Sequence, residues 1–452
     1  MEQSGFIVAI DLGTSKIVGL LGRKNAQGVI SVLASEVIPS DSCVKQGVVY
    51  NIDEAAGKIK KLINLLENKS GKKIGKVYVS IAGRSLRAIE HIQTRAITPE
   101  AEVTFLDIDQ MEQQARQNKP DFFTNYSVVA PEIFLDGKHE EDPIGKPASL
   151  VEGRYRLIVG RPNIKSSLVK CITDKNQLDI AGFIVGPVAA GAIVLDEEDK
   201  EAGCALVDFG AGTTTVSIYK EGLLRYMSVI PFGGRTITRD VQSLSFTSDA
   251  AESYKVKYGK IGKDKSRPAG QVSSEVDLKE LNKVIQLREE EIVLNVINQI
   301  KESGYGDELD AGIVIIGGAS QLEGLDTFLA DKSKMDVKKG VVKRLYINNA
   351  AELLQNPLYT QCLGLLLFAN ENCEKREEVK PVSEPQYDVT DQSQTTENNQ
   401  DDDTGNGGGD THNQQPPVKE KKKKEKKEKS GSLFDFFGKI QNLGGTVFKD
   451  EE

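Results

Sequence analysis

Tryptophan is absent from the chain, and histidine occurs only three times, at His91, His139 and His412, never spaced as paired metal ligands. Zinc catalysis and a histidine-based nucleophile triad therefore have almost nothing to work with. The five cysteines, Cys43, Cys171, Cys204, Cys362 and Cys373, lie far apart and form no CxxC. That is the pattern of reduced, buried thiols in a reducing compartment, not of a disulfide framework or a redox motif. No apolar run approaches the ~20 residues needed to span a bilayer, and the opening MEQSGFIVAIDLG lacks the basic start and small-residue cleavage site of a signal peptide. A cytoplasmic protein is expected. The formal net charge is -9, and no nucleic-acid partner is expected. Any chemistry must run on carboxylates, hydroxyls, lysines and backbone amides.

What is present is ample for a folded core: 452 residues, 38% hydrophobic, a composition of two to four soluble domains. Up to about Asn370 short apolar runs alternate with helical periodicity, which predicts a mixed α/β protein. From Glu371 to Gln415 the chain is Glu, Asp, Gln, Asn, Thr and Gly (TTENNQDDDTGNGGGD), read as a disordered linker. KEKKKKEKKEK, Lys419 to Lys429, follows with eight Lys and three Glu, a net +5. Two interior regions differ from their surroundings. Leu86 to Gly160 lies between the strand-like KVYVSIAG and RYRLIVG and holds a helix candidate, DIDQMEQQARQ, so an inserted α+β subdomain is expected. Phe232 to about Gly304 is helix-rich, with Leu281, Val284, Ile285, Leu287, Ile292, Val293, Val296, Ile297 and Ile300 at helical spacings.

One motif occurs twice. FIVAIDLGTSKIVGLLG (Phe6 to Gly22) reads as strand, tight turn, strand. Gly13 permits close backbone approach, and the N–H groups around Thr14, Ser15 and Lys16 can form an anion-binding nest supplemented by two hydroxyls. Asp11, at the end of a buried strand, is placed to hold Mg²⁺ through its waters. GCALVDFGAGTTTVSIYKEG (Gly203 to Gly222) repeats the plan with Asp208, Gly210, Gly212, Thr213 and Thr214. A single Asp-x-Gly turn joins strands in many proteins without binding anything. Two copies suit a duplicated domain whose halves present phosphate hairpins to one cleft. A third element, AGIVIIGGASQLEGL (Ala311 to Leu325), is an apolar strand running into Gly317-Gly318 and a helix beginning near Ser320, where paired glycines would admit a flat ligand face and Ser320 would cap the helix.

These three motifs resemble the phosphate-1, phosphate-2 and adenosine signatures of the actin, sugar kinase and heat-shock chaperone superfamily. LDIAGFIVGPVAAGAIVL (Leu178 to Leu195) and NPLYTQCLGLLLFA (Asn356 to Ala369) resemble its two connecting helices at the interdomain hinge. The position of the insert, together with KVYVSIAGRSLR, PFGGRTITRD and AAESYKVKYG, resembles the bacterial cell-division family FtsA. The resemblance implies an α/β, actin-like two-domain fold with duplicated phosphate-binding hairpins, an inserted α+β subdomain, and a disordered C-terminal tail ending in an amphipathic helix. The implied boundaries are subdomain 1A over 1-85 and 163-200, the insert over 86-162, subdomain 2A over 201-231 and 309-370, the helical lobe 2B over 232-308, the linker over 371-430 and the amphipathic helix over 431-449.

ATP with Mg²⁺ is the implied ligand, with hydrolysis weak or absent. Gly13, Thr14, Ser15, Lys16, Gly210, Gly212, Thr213 and Thr214 would meet phosphates, Asp11 and Asp208 would organise Mg²⁺, and Glu252, Lys255, Gly317, Gly318 and Ser320 would meet the nucleoside. Glu252 and Lys255 stand three apart, which on a helix also makes an ordinary surface ion pair. No residue stands out in the sequence as the one that orients an attacking water.

The tail closes with SLFDFFGKIQNLGGTVF, Ser432 to Phe448. On a helical wheel Leu433, Phe434, Phe436, Phe437, Ile440, Leu443, Val447 and Phe448 fall within one half of the circumference, interrupted by Gln441 alone among polar residues. Gly438, Gly444 and Gly445 cost a helix about 1 kcal/mol each, so the helix would form only where its apolar face is buried. Eight large apolar side chains at ~1.5–3 kcal/mol for full burial exceed that cost, and the upstream lysines add up to ~1 kcal/mol each near anionic lipid. The other occupant of that face would be the protein's own core or a partner groove, since a flexible linker of this length spans roughly 40 Å.

By resemblance the protein is expected at the cytoplasmic face of the inner membrane, at the division site. There it would tether the FtsZ ring by binding the FtsZ C-terminal peptide on the helical lobe. It would also self-associate into short filaments and meet later division proteins through the insert. A PilM-like type IV pilus assembly protein shares the fold and insert but normally lacks such a tail. A sugar kinase would need an acceptor pocket with a catalytic Asp, for which no motif is evident.

Overall fold

The computed structural model describes residues 5–98, 101–262 and 277–375. The stretch from Leu433 to Phe448 lies outside these residues, as does the expected linker from residue 376 on; its first residues, Glu371 to Lys375, are instead part of the folded first half, where the Cys373 N–H donates to the Phe6 carbonyl at 2.8 Å and the Lys375 N–H to the Lys73 carbonyl at 2.9 Å.

The chain begins with β1 (Phe6–Leu12), β2 (Lys16–Lys24) and β3 (Ile30–Pro39), an antiparallel meander. A short hairpin, β4 (Val44–Lys45) and β5 (Val48–Val49), leads into α1 (Ile52–Ser70). Asn51 caps α1 by accepting from the Glu54 N–H, and Gly71, in the left-handed region, ends it. Strand β6 (Lys76–Ile81) returns parallel to β1.

The chain then leaves this sheet for β7 (Arg87–Ala96), α2 (Phe105–Gln117), β8 (Thr124–Leu135), β9 (Lys138–His139) and β10 (Leu150–Gly160). These elements enclose a core of their own around Met111, Val128, Val151, Tyr155 and Leu157. α2 opens on a reciprocal Thr104–Asp107 capping box. After α3 (Asn163–Val169), β11 (Asp179–Val185) completes a five-stranded sheet in the order β11-β6-β1-β2-β3. Then follow α4 (Gly186–Val194) and α5 (Glu197–Ala202).

The second half repeats the opening with the meander β12 (Cys204–Phe209), β13 (Thr214–Lys220) and β14 (Leu223–Ile230). Helices α6 (Gly234–Val241), α7 (Ser248–Tyr258) and α8 (Leu278–Glu302) form the helical lobe. β15 (Ile313–Ile316), α9 (Leu325–Ser333) and β16 (Val337–Lys339) close the half, with β15 parallel to β12 as β6 is to β1. Lastly α10 (Ala351–Gln355) and α11 (Thr360–Phe368) bring the chain back to the first half.

Two sheet features position the cleft. The hairpins β1–β2 and β12–β13 hold equivalent places, so each half delivers an Asp-x-Gly turn from the end of a buried central strand. Between the halves α4 and α11 cross closely: a Cβ on Gly364 would collide with the Ala189 carbonyl. The second sheet also runs into the insert through β14 and β7, where Ser228 faces Arg87, giving the nine-stranded order β16-β15-β12-β13-β14-β7-β10-β8-β9.

Three local readings change. The stretch from Leu178 to Leu195 is half strand and half helix, because β11 pairs with β6 before α4 begins. The helix expected near Ser320 is a single 3₁₀ turn, Gly318–Gln321, and α9 starts at Leu325. On α8, Leu287 is 61% exposed whereas Glu289 is 1% exposed: Glu289 fills the gap in the buried stripe Leu281, Ile285, Ile292, Val296, Ile300.

Candidate functional site

The duplicated turns match in geometry as well as in sequence. In the first, the Gly13 N–H donates to the Lys16 carbonyl at 3.0 Å; in the second, the Gly210 N–H donates to the Thr213 carbonyl at 2.9 Å. A Cβ on either glycine would sit 2.8 Å from that carbonyl, so both turns require a bare backbone at this position. The turns meet across the molecule: a Cβ on Gly212 would lie 2.5 Å from the Thr14 hydroxyl. They open into a cleft of about 1230 Å³ lined by both halves, by the helical lobe and by the start of α11.

Of the residues singled out in the sequence, Asp11, Gly13, Thr14, Ser15, Lys16, Asp208, Gly210, Gly212, Thr213, Glu252, Lys255, Gly317 and Gly318 all line this one cleft. Thr214 and Ser320 do not. The Thr214 side chain is buried within β13 and its hydroxyl donates to the Phe232 carbonyl at 3.0 Å. Ser320 is buried and donates to the Gly317 carbonyl at 2.7 Å, tightening the turn instead of capping a helix. Thr14 faces the cleft, but its hydroxyl accepts from the Gly47 N–H at 3.0 Å. The ligand surface of the first turn therefore consists of backbone, Ser15 and Lys16, the last two exposed.

At the floor stand two carboxylates, Asp11 and Asp208. Burial pushes Asp11 above the ordinary carboxylate range, opposed by the Ser80 hydroxyl, which donates to its Oδ1 at 2.5 Å. Asp208 is pushed up to about 6, first by burial and also by the charge of Asp11, and opposed by the Gln361 amide. Two half-buried like-charged groups at the mouth of paired glycine turns are a donor set for a hard divalent cation that keeps part of its water shell. Mg²⁺ fits these residues. Among the described residues no cluster of three or more His, Cys, Asp or Glu side chains is placed to hold a metal ion, so phosphate oxygens and waters would supply the remaining ligands. Gly317, at φ +91°, lies against Asp208 where any Cβ would strike the carboxylate.

On the far wall Lys255 Nζ donates to Glu252 at 2.7 Å, to the Thr238 hydroxyl at 2.9 Å and to the Gly234 carbonyl at 3.0 Å. The pair is therefore an ordered part of the cleft and not a loose ion pair on the helix surface. Sequence reasoning missed Ser80, Thr238 and Gln361. Ser80 is a single polar residue inside an apolar run, and Gln361, next to Thr360, stands just before one, which gives neither a pattern; Thr238 stands in PFGGRTITRD, where four other polar side chains surround it.

The family model for cell division protein FtsA matches residues 205–364. A cell division protein FtsA of Porphyromonas gingivalis is 30% identical over 381 residues, covering 80% of this chain and 78% of that protein. The chain belongs to the FtsA family. An FtsA of Pseudomonas aeruginosa is 29% identical over 383 residues, covering 81% of this chain and 90% of the relative. Among solved structures, a PilM-PilN type IV pilus biogenesis complex superposes with TM-score 0.59 at 16% identity, over 80% of this chain and 98% of that one. That likeness is one of fold, and the fold is the actin-like one. The FtsA relatives make this a cell-division protein of actin-like architecture. Among the described residues no helix is long and apolar enough to cross a membrane.

Proposed function

We propose that this FtsA-family protein is an ATP-binding membrane tether for the division ring. The observation that carries the nucleotide part is the meeting of two equivalent turns, each with a half-buried Asp two residues before its glycine, over one cleft. Backbone N–H groups of the turns, with Ser15, Lys16 and Thr213, hold phosphate oxygens. Glu252, Lys255 and the Gly317-Gly318 turn hold the nucleoside. Asp11 and Asp208 hold Mg²⁺ through its waters, and bound Mg²⁺ supplies charge neutralisation between the phosphates and these carboxylates. ATP acts chiefly as a ligand that closes the cleft, and stabilises the closed form by mass action.

The tether itself rests on the terminal amphipathic pattern and on family membership. The segment from Leu433 to Phe448 enters anionic lipid, the lysines from Lys419 to Lys429 add electrostatic attraction, and the linker lets the folded part reach FtsZ. The helical lobe receives the FtsZ C-terminal peptide, the insert meets neighbouring copies and later division proteins, and the site of action is the cytoplasmic face of the inner membrane at the division site.

Titration of the full chain with ATP tests the nucleotide part. Mg²⁺–ATP binds with one site per chain, and Asp208→Asn or Asp11→Asn lowers that affinity by about tenfold or more, as loss of a charged partner of the cation should. Unchanged affinity in both variants would place the nucleotide elsewhere.

A further inference from the structure

Of the side chains that hydrogen-bond to the two carboxylates of the cleft, one comes from the helix pair between the halves. Gln361 stands in the first turn of α11, the helix that crosses α4 between the two halves. Its Nε2 donates to Asp208 Oδ2 at 2.5 Å. Its Oε1 faces the other way, against the N-terminal end of α4: a Cβ on Gly186 would sit 2.6 Å from it. One carboxamide thus fills the gap between a cation-facing carboxylate and the start of the helix pair on which the halves turn. Asp11 is held differently. Its donor, Ser80, comes from β6 of its own sheet, so no hinge element touches it through that bond.

The asymmetry has a mechanical consequence. A shift of Asp208 toward a cation moves the acceptor of Gln361, and the carboxamide follows or loses its bond. Because α4 and α11 pack with backbone nearly touching at Gly364 and Ala189, neither helix can yield locally, and displacement of the first turn of α11 becomes relative motion of the two helices. Interior packing has no slack to absorb it.

We propose that Gln361 is a positioning residue that fixes the rotamer of Asp208 and transmits cation–nucleotide occupancy to the α4–α11 crossing. This rests on the nucleotide reading of the cleft. Gln361 lines the cleft and acts through Asp208 on one side and Gly186 on the other.

The test uses the full chain and two probes, ATP with Mg²⁺ and ATP with EDTA. Unmodified protein is expected to bind the first more tightly than the second. Gln361→Ala is expected to weaken Mg²⁺–ATP by about tenfold while leaving metal-free ATP within about twofold, the scale of one hydrogen bond to a charged group. Mg²⁺–ATP should slow amide hydrogen exchange in α11 of the unmodified chain and leave it unchanged in Gln361→Ala. Gly186→Ala, which crowds the carboxamide without reaching Asp208, should reproduce both effects in weaker form, and it carries the same test if Gln361→Ala fails to fold. Equal weakening with and without Mg²⁺, or no weakening at all, would overturn the proposal. So would α11 protection that persists in the variants. If the unmodified chain binds no ATP, the nucleotide reading itself falls, a result distinct from failure in the variants alone.

Discussion

At the scale of single residues, the least expected group is Glu289. It lies on the buried face of α8, and among the described residues neither carboxyl oxygen has a hydrogen-bond partner. Burial pushes its pKa from 4.5 to about 7, with the charge of Lys255 pulling the other way. The sign follows from linkage. A carboxyl whose folded pKa lies above its unfolded one binds more protons in the native state, so stability is highest below the unfolded pKa and falls as pH rises through the window between the two. Denaturant unfolding of Glu289→Gln should lack that slope: relative to the unmodified chain, the variant gains stability between roughly pH 5 and pH 8, by on the order of 3 kcal/mol at most. A constant difference across that range would mean Glu289 is not titrating there. The same residue shows where sequence reading failed. Periodicity placed Leu287 in the core, yet the helix phase defined by Leu281, Ile285 and Ile292 puts position 289 inward. A glutamate there carries no hydrophobic signal. Ser80, alone among apolar residues of its strand, and Gln361, beside Thr360 at the start of its helix, escaped because such a side chain acquires its meaning only when topology brings a carboxylate to it.

At the scale of elements, the turns were legible because their requirements are local. Asp, a glycine two residues on, and apolar runs on either side follow from a tight turn between buried strands, and the matching Gly13–Lys16 and Gly210–Thr213 bonds show that the requirement is one of backbone geometry. Ala-rich α4 was legible as a helix, but the apolar run before it was not legible as β11, because a short buried strand and a buried helix share the same composition. The docking of the insert was not legible at all. β14 meets β7, and Arg225, with its side chain only 4% exposed, reaches Glu132 of β8 at 2.5 Å while Arg156 of β10 donates to the Arg225 carbonyl at 3.0 Å. Such a pair joins strands distant in sequence. Removing Glu132 leaves Arg225 with the more exposed Glu221 as its remaining carboxylate, so Glu132→Gln should destabilise the chain by about 1.5 kcal/mol, and hydrogen exchange should rise first along β8 and β14. Replacing both, as in Glu132→Leu with Arg225→Met, should recover much of that loss. If the single and double variants are equally unstable, the ion pair does not hold the insert to the second half.

At the scale of the whole molecule, the proposed function divides the work between a cleft that would hold a nucleotide between two similar halves and a C-terminal sequence whose apolar pattern would suit a lipid surface. Family membership supplies the setting, cell division. The two parts meet in one claim, that the protein carries FtsZ to lipid. Co-sedimentation with vesicles rich in anionic lipid tests it most directly, using the intact chain and a version ending at Ser430, each with and without purified FtsZ. The intact chain should pellet with the vesicles and bring FtsZ with it, and the shortened chain should leave both in the supernatant. Equal pelleting of the two versions, or pelleting of neither, would contradict the tether and turn the apolar face of the tail toward a protein partner.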